Sequence, residues 1–234
     1  MILGNLYNKI NIYLNFENKV IENFVKVSAK SIPAGAIVLD AGAGECRFKK
    51  YFSHCQYIAQ DFCQGDKDWN YSGIDINSDL TKIPLADASV DYIVCTQVLE
   101  HVAEPFLVIK ELCRLLKKNG KLFLTAPQGW GEHQQPHDYF RFTSFGLRYL
   151  FTKAGFRIES IKPNGGALHY LSHRLVLIEN LNDVLPKKIY KIILFPITLA
   201  LFLGVVFARL ILVKFDFFDK KRKYTLNYSC VCVK

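Results

Sequence analysis

Several familiar signals are missing from this chain, and each absence closes a class of function. Its seven cysteines (46, 55, 63, 95, 113, 230, 232) are odd in number and irregularly spaced, which fits neither a disulfide framework nor a zinc pattern. No group of His, Asp and Glu has metal-ligand spacing along the sequence, so no metal is expected. The opening MILGNLYNKINIYLNFENK lacks a basic start followed by an apolar run. It therefore reads as free of a secretory signal, with reduced thiols pointing to the cytosolic side. Internal repeats and low-complexity stretches are absent. Acidic charge is scarce in one region only: residues 184–234 carry ten Lys/Arg against two Asp/Glu, and residues 1–183 carry twenty against nineteen. The net charge of +9 thus belongs to the last fifth of the chain. A basic groove through the main body is not supported, and no nucleic-acid partner is expected.

What is present is a rhythm of strands and helices. ENKVIENFVKVSAKS (17–31) spaces Val20, Phe24 and Val27 as a lead-in helix does. AIVLD (36–40), QYIAQD (56–61), YSGIDI (71–76), SVDYIVCT (89–96), KLFLTAP (121–127) and FRIESI (156–161) read as strands. CRFKKYF is helix-compatible. EPFLVIKELCRLLKK (104–118) sets Ile109, Leu112 and Leu116 on one helix face, with Asn119–Gly120 as its stop. A further helix runs from an N-cap at Thr143 to Gly155. Such alternation predicts a parallel α/β sheet. Ligands of such sheets lie beyond the C-terminal strand ends, here Asp40–Gly44, Asp61, Asp79, Thr96–His101 and Pro127 onward.

The turn in VLDAGAGECRF (38–48) is the most informative stretch. Gly42 and Gly44 are present, but Arg47 stands where a dinucleotide fingerprint needs its third glycine, and no Gly-Lys-Ser/Thr ending makes a P-loop. Asp40 beside the turn disfavours a phosphate and suits a cationic ligand. A tight strand-to-helix turn with a structural Asp is the alternative.

Neighbouring stretches extend the pattern. VLDAGAGE, QYIAQD, SDLTKIPLADASVDYIVCTQVLEHV and LKKNGKLFLTAPQGW, in this order over roughly residues 20–165, resemble the class I S-adenosylmethionine-dependent methyltransferases. The resemblance implies a Rossmann-like, doubly wound, mostly parallel seven-stranded sheet with an antiparallel last strand, the role taken by YTLNYSCVCVK. It implies S-adenosyl-L-methionine as methyl donor. Asp40, Gly42 and Gly44 would lie under the methionine part and Asp61 on the ribose hydroxyls. Asp79 would meet the adenine amine, with Leu80 against the ring and Gln97 near the sulfonium. Cys46 departs from the pattern, since many members carry a third glycine there. Asp75 competes with Asp79, because the DFCQGDKDWNYSG insertion blurs the register. Asp61 could instead be a turn residue, and Asp79 a cap of SDLT.

An acceptor hydroxyl needs a base. The loop PQGWGEHQQPHDYFRFT (127–143) offers His133 and His137 for that role, and Trp130 with Tyr139 for a ring-stacking wall. A polar loop whose histidines bond backbone or water is the plain alternative. His101 reads as structural or pocket wall, and Arg141 either pairs with Asp138 or meets an anionic substrate. PQGW…HDYFRFT…GLRYL…AGF resembles small methyltransferases of bacterial glycan biosynthesis, which implies a sugar hydroxyl or a lipid-linked glycan as acceptor. A lipid or quinone precursor is the rival acceptor, and a non-catalytic cofactor-binding scaffold on the membrane is the rival class.

Residues 192–208 carry no charge, with Lys187, Lys188 and Lys191 before them and KKRK at 220–223 after. The length is marginal for a span of about 20 residues. A single crossing would also strand the last β-strand across the bilayer from its sheet. The reading is a monotopic association with the cytosolic membrane face; a buried helix or a dimer contact is the alternative. The expected organisation is lead-in helices over 1–32, a cofactor-binding catalytic domain over 33–183, the basic apolar insertion over 184–223 and the returning strand over 224–234. The sequence sets no oligomeric state.

Overall fold

The computed structural model describes residues 16–65, 68–175 and 195–234. The lead-in before residue 16 and the first part of the basic insertion, residues 184–194, lie outside that set. The chain divides into two compact units, one of Asn15–Asn164 with Asn227–Lys234, the other of Met1–Leu14 with Gly165–Leu226. The divisions thus fall at 164/165 and 226/227, where the sequence suggested 183/184 and 223/224.

The first unit is a seven-stranded sheet in the order β3-β2-β1-β4-β5-β7-β6. Its strands are β1 (Ile37–Ala41), β2 (Gln56–Asp61), β3 (Ile76–Asn77), β4 (Val90–Thr96), β5 (Leu116–Pro127), β6 (Arg157–Asn164) and β7 (Asn227–Val233). Strands β1 to β5 pair in parallel, and β7 runs antiparallel between β5 and β6. The doubly wound expectation holds, antiparallel last strand included. Cys230 and Cys232 are buried free thiols of β7. Helices α1 (Phe16–Lys30), α2 (Pro105–Leu115) and α3 (Ser144–Lys153) belong to this unit. The Thr143 cap forms as expected: its Oγ1 accepts the Gly146 N–H at 3.1 Å.

Four local expectations are corrected. In α1 the buried stripe is Ile21, Val25 and Ala29, while Val27 is 58% exposed. An i, i+4 row makes the contact, and Phe24 packs only at its border. The third strand is Ile76–Asn77, later than YSGIDI, because Asp75 spends its carboxylate accepting the Ala59 N–H at 2.8 Å. Helix α2 stops at Leu115, three residues early. Leu116 already pairs with Val90, and Asn119 turns at φ 65° with its N–H on the Lys234 carbonyl. CRFKKYF likewise yields only a 3-10 turn, Lys49–Phe52, anchored by buried Phe48 and Phe52.

Glu17 of α1 is buried and accepts from the Asn227 side chain at 2.7 Å. Burial pushes its carboxyl up to about 7, against the lowering pull of that hydrogen bond. A raised acid favours folding while protonated and opposes it as pH climbs from the unfolded value through the folded one. Glu17→Gln keeps the acceptor and removes the charge. It should leave stability unchanged near pH 4 and raise it by about 3 kcal/mol at pH 8. Denaturant melts of both proteins at the two pH values check this, and equal stabilities at pH 8 would contradict it.

The second unit's described residues include α4 (Ala167–Arg174), α5 (Phe195–Phe215) and a 3-10 turn at Asp216–Phe218. Asp216 accepts the Gly166 and His169 N–H groups at 2.8 and 2.9 Å, and Asp219 accepts that of Ala167 at 2.7 Å. The two carboxylates satisfy orphan donors at the α4 N-terminus. Among the described residues, no helix is long and apolar enough to cross a membrane.

Candidate functional site

Strand order reverses between β1 and β4, and the glycine turn leaves β1 at that switch point. Gly42 sits at φ 77° and Gly44 at φ 53°, both in the left-handed region. A Cβ on Gly42 would lie 2.5 Å from a Val98 methyl, just past β4. On Gly44 it would meet the Trp69 ring at 3.1 Å. Glycine at both positions thus lets Val98 and Trp69 pack directly against the backbone of the turn.

The turn is held from β2. Gln60 accepts the Gly42 and Ala43 N–H groups through its carbonyl, both at 2.9 Å. Asp61 accepts the Gly44 N–H at 2.8 Å through one carboxylate oxygen and the Cys63 N–H at 2.7 Å through the other. Each oxygen keeps lone-pair capacity, so a vicinal diol could still donate to it. Asp40 points inward: it is 1% exposed and accepts from the Tyr57 hydroxyl at 2.6 Å. Burial lifts its carboxyl to about 6; the Tyr57 hydrogen bond lowers it and the Asp61 charge raises it. Asp40 is thus committed to Tyr57 in the interior. Asp79 is exposed, and one carboxylate oxygen accepts both the N–H and the hydroxyl of Thr81. That is the SDLT cap, the plain alternative for this residue. Leu80 is 6% exposed and packs in the core beside Ile83. Gln97 holds a strained φ of 53° and donates its amide to Thr125 Oγ1 at 3.0 Å.

The loop after β5 is cinched by one arginine. Arg141 forks onto Asp138 at 2.6 and 2.7 Å and also donates to the carbonyls of Trp130, Gly131 and Phe140. It pairs with Asp138, as one of the two sequence readings has it. The guanidinium holds the Asp138 carboxyl well below the usual carboxylate range. His133 donates its N–H to Asp138 at 2.8 Å, and its ring stands edge-on to His101, centroids 4.7 Å apart. His137 lies apart: its ring is exposed, with Nδ1 3.2 Å from the Tyr139 hydroxyl. The expected pair of histidines is therefore split. Tyr139 is 48% exposed and Trp130 half-buried.

Linear spacing gave no hint of a third feature. Glu100, on the 3-10 turn Leu99–His101, is fully buried, and one ligand atom each from Glu100, His101 and His133 lies within 4.8 Å of the others. Burial lifts the Glu100 carboxyl to about 8, while its own backbone N–H and the Arg141 charge pull the other way. Burial also lowers His101. Trp69 is the second residue sequence reasoning missed, since it sits inside the insertion that blurred the register.

The sheet order, the glycine turn at its switch point and the acids at the strand ends are those of a Rossmann-like, doubly wound α/β fold. Residues 39–124 match the family model described as a methyltransferase domain. A ubiquinone biosynthesis O-methyltransferase of Xanthomonas axonopodis pv. citri (strain 306) is 32% identical over 111 residues, which are 43% of this chain and 46% of that protein. The chain thus spans about half the length of the curated relative it matches. Solved structures agree on the fold. An S-adenosylmethionine-dependent methyltransferase from Archaeoglobus fulgidus superposes with a TM-score of 0.57 at 12% identity, over 92% of this chain and 94% of that one. The 1,6-didemethyltoxoflavin-N1-methyltransferase of Burkholderia thailandensis, with bound S-adenosylhomocysteine, gives 0.56 at 13% identity, over 100% and 85%. The [4+2]-cyclase SpnF gives 0.57 at 17%, over 91% and 81%, so the fold alone does not dictate the reaction.

Proposed function

We propose that this chain is an enzyme that transfers a methyl group from S-adenosyl-L-methionine to a hydroxyl of a small-molecule acceptor. The observation that carries the reading is the left-handed Gly42–Gly44 turn at the switch point, with Asp61 accepting the Gly44 N–H. Gly42 and Gly44 would let the methionine part pass close. Asp61 would accept from the ribose hydroxyls, with Asp79 toward the adenine amine and Gln97 near the sulfonium. Bound there, the donor supplies an electrophilic methyl on a positively charged sulfur. The protein supplies alignment and activation of the acceptor hydroxyl. His133 is the residue we assign to hydroxyl activation, because it alone of the two loop histidines stands with His101 and Glu100. His133→Ala should lower turnover by about 100-fold. Affinity for S-adenosylmethionine should stay within about threefold of the parent, since Asp61 and the turn are untouched. Full rate in that variant would overturn the assignment.

For the acceptor, a phenolic or quinol precursor has the support of the partial relative named above, a ubiquinone biosynthesis O-methyltransferase. A sugar hydroxyl or lipid-linked glycan rests only on the PQGW…HDYFRFT resemblance. An apolar acceptor would agree with a seat on an anionic membrane face. Leu203, Phe207 and Ile211 of α5 and Phe217 and Phe218 beyond it are exposed, and Lys220–Lys223 follow them. Labelled methyl transfer into a polyprenyl phenol, and separately into a polyprenyl-linked sugar, both in anionic vesicles, discriminates the acceptors. Sedimentation of the same vesicles reports whether the chain follows them.

A further inference from the structure

We propose that Glu100, His101 and His133 form a binding site for a divalent transition-metal ion, and that the ion activates the acceptor hydroxyl. The second half of this inference rests on the methyl-transfer reading; the first half does not.

Glu100 supplies the first argument. Its side chain has no exposed surface, and beyond its own backbone N–H neither carboxylate oxygen has a hydrogen-bond partner among the described residues. A carboxylate buried this way costs several kcal/mol unless a cation or a set of donors answers it. Arg141, whose charge acts on Glu100, is already spent on Asp138 and three carbonyls. What faces Glu100 instead is His101 Nε2, 3.9 Å from Oε1.

The histidines supply the second. His101 Nδ1 lies 2.7 Å from the His137 carbonyl. A carbonyl can only accept, so Nδ1 carries the proton and Nε2 presents a lone pair. His133 Nδ1 lies 3.1 Å from the Gly131 carbonyl and 3.4 Å from an Asp138 oxygen, which fixes the same tautomer. A ring N–H held by a carbonyl or carboxylate, with the opposite nitrogen free, is the usual outer support of a metal-bound histidine. The Arg141–Asp138 clamp then has a purpose beyond tying the loop down, because it sets the angle of His133.

Two imidazoles and one carboxylate suit a first-row ion such as zinc, manganese, iron or cobalt, and they leave coordination positions open. Metal–ligand bonds of about 2.0–2.2 Å require these atoms to draw together by roughly 1 Å. An acceptor oxygen in an open position would lose its proton to water. The oxygen lone pair would then form the new O–CH3 bond as the S–CH3 bond breaks, its electron pair returning to sulfur to give the neutral thioether.

The test uses the full chain without a tag, treated with chelator and then titrated with Co2+. The expected result is about one equivalent bound, with visible d–d bands of a four- or five-coordinate ion. Glu100→Gln, nearly isosteric, should weaken Co2+ and Zn2+ at least 10-fold, and His133→Asn should do the same. Thermal melts establish that both variants fold. His54→Ala, outside the cluster, should bind as the parent does. Absent bands, or metal binding that Glu100→Gln and His133→Asn leave intact, overturns the site. Such a failure leaves binding of S-adenosylmethionine at the glycine turn unaffected, so the two readings fail separately.

Discussion

Asp61→Ala is expected to weaken S-adenosylmethionine binding by about 100-fold or more, the largest single effect on the donor side. The substitution removes three things together. The Gly44 N–H and the Cys63 N–H lose their charged acceptor, at 2.8 and 2.7 Å, and each such bond contributes about 1.5–3 kcal/mol. The ribose diol of a bound donor would lose the carboxylate proposed for it. Asp61→Asn retains one acceptor oxygen and should fall between the two, because an amide can still take the Gly44 N–H but cannot bind a diol through two oxygens. Calorimetric titration of the three proteins measures the series. Equal affinities would mean that the carboxylate serves the loop alone.

Arg141→Ala is expected to lower turnover by about 100-fold while donor affinity stays within about threefold. The guanidinium is the knot of the loop after β5, since it joins Asp138 to the carbonyls of Trp130, Gly131 and Phe140. Its removal leaves Asp138, whose side chain is 3% exposed, without its guanidinium and held only through His133. The loop escapes that cost by opening, and it carries His133 away with it. Arg141→Lys keeps the charge without the planar fork and should recover little. Single-turnover rates with saturating donor, alongside calorimetry, separate loop damage from donor-site damage. A rate loss matched by an equal affinity loss would contradict the division of labour between the β1 turn and the β5 loop.

Legibility in the sequence followed sequence distance. The strands of the parallel sheet, the Thr143 cap and the returning β7 were readable because period, cap and β-branching are local signals. The α1 face was read one step off, since Val20, Phe24 and Val27 are apolar and helically spaced but the sheet takes Ile21, Val25 and Ala29. Local pattern says that a face exists, and packing decides which one. The end of α2 was misplaced because Asn119–Gly120 resembles a helix stop, whereas Val90 and Lys234, far away in the chain, capture that backbone. In the site, Gly42, Gly44 and Asp61 follow from one motif and one strand end. Tyr57 beneath Asp40 and Trp69 above Gly44 do not, because neither residue type is demanded by the motif. Glu100, His101 and His133 come together only through the β4–β5 pairing, and two adjacent residues with a third some thirty positions on make no spacing pattern.

The central claim is that the glycine turn binds the methyl donor. Its most direct measurement is calorimetric titration of the wild-type chain with S-adenosylmethionine, S-adenosylhomocysteine and, as a competing dinucleotide, NAD. The account predicts saturable binding of the first two, near one per chain, and none of the third. Binding of NAD, or of no ligand by a chain whose melting curve shows it folded, would contradict it.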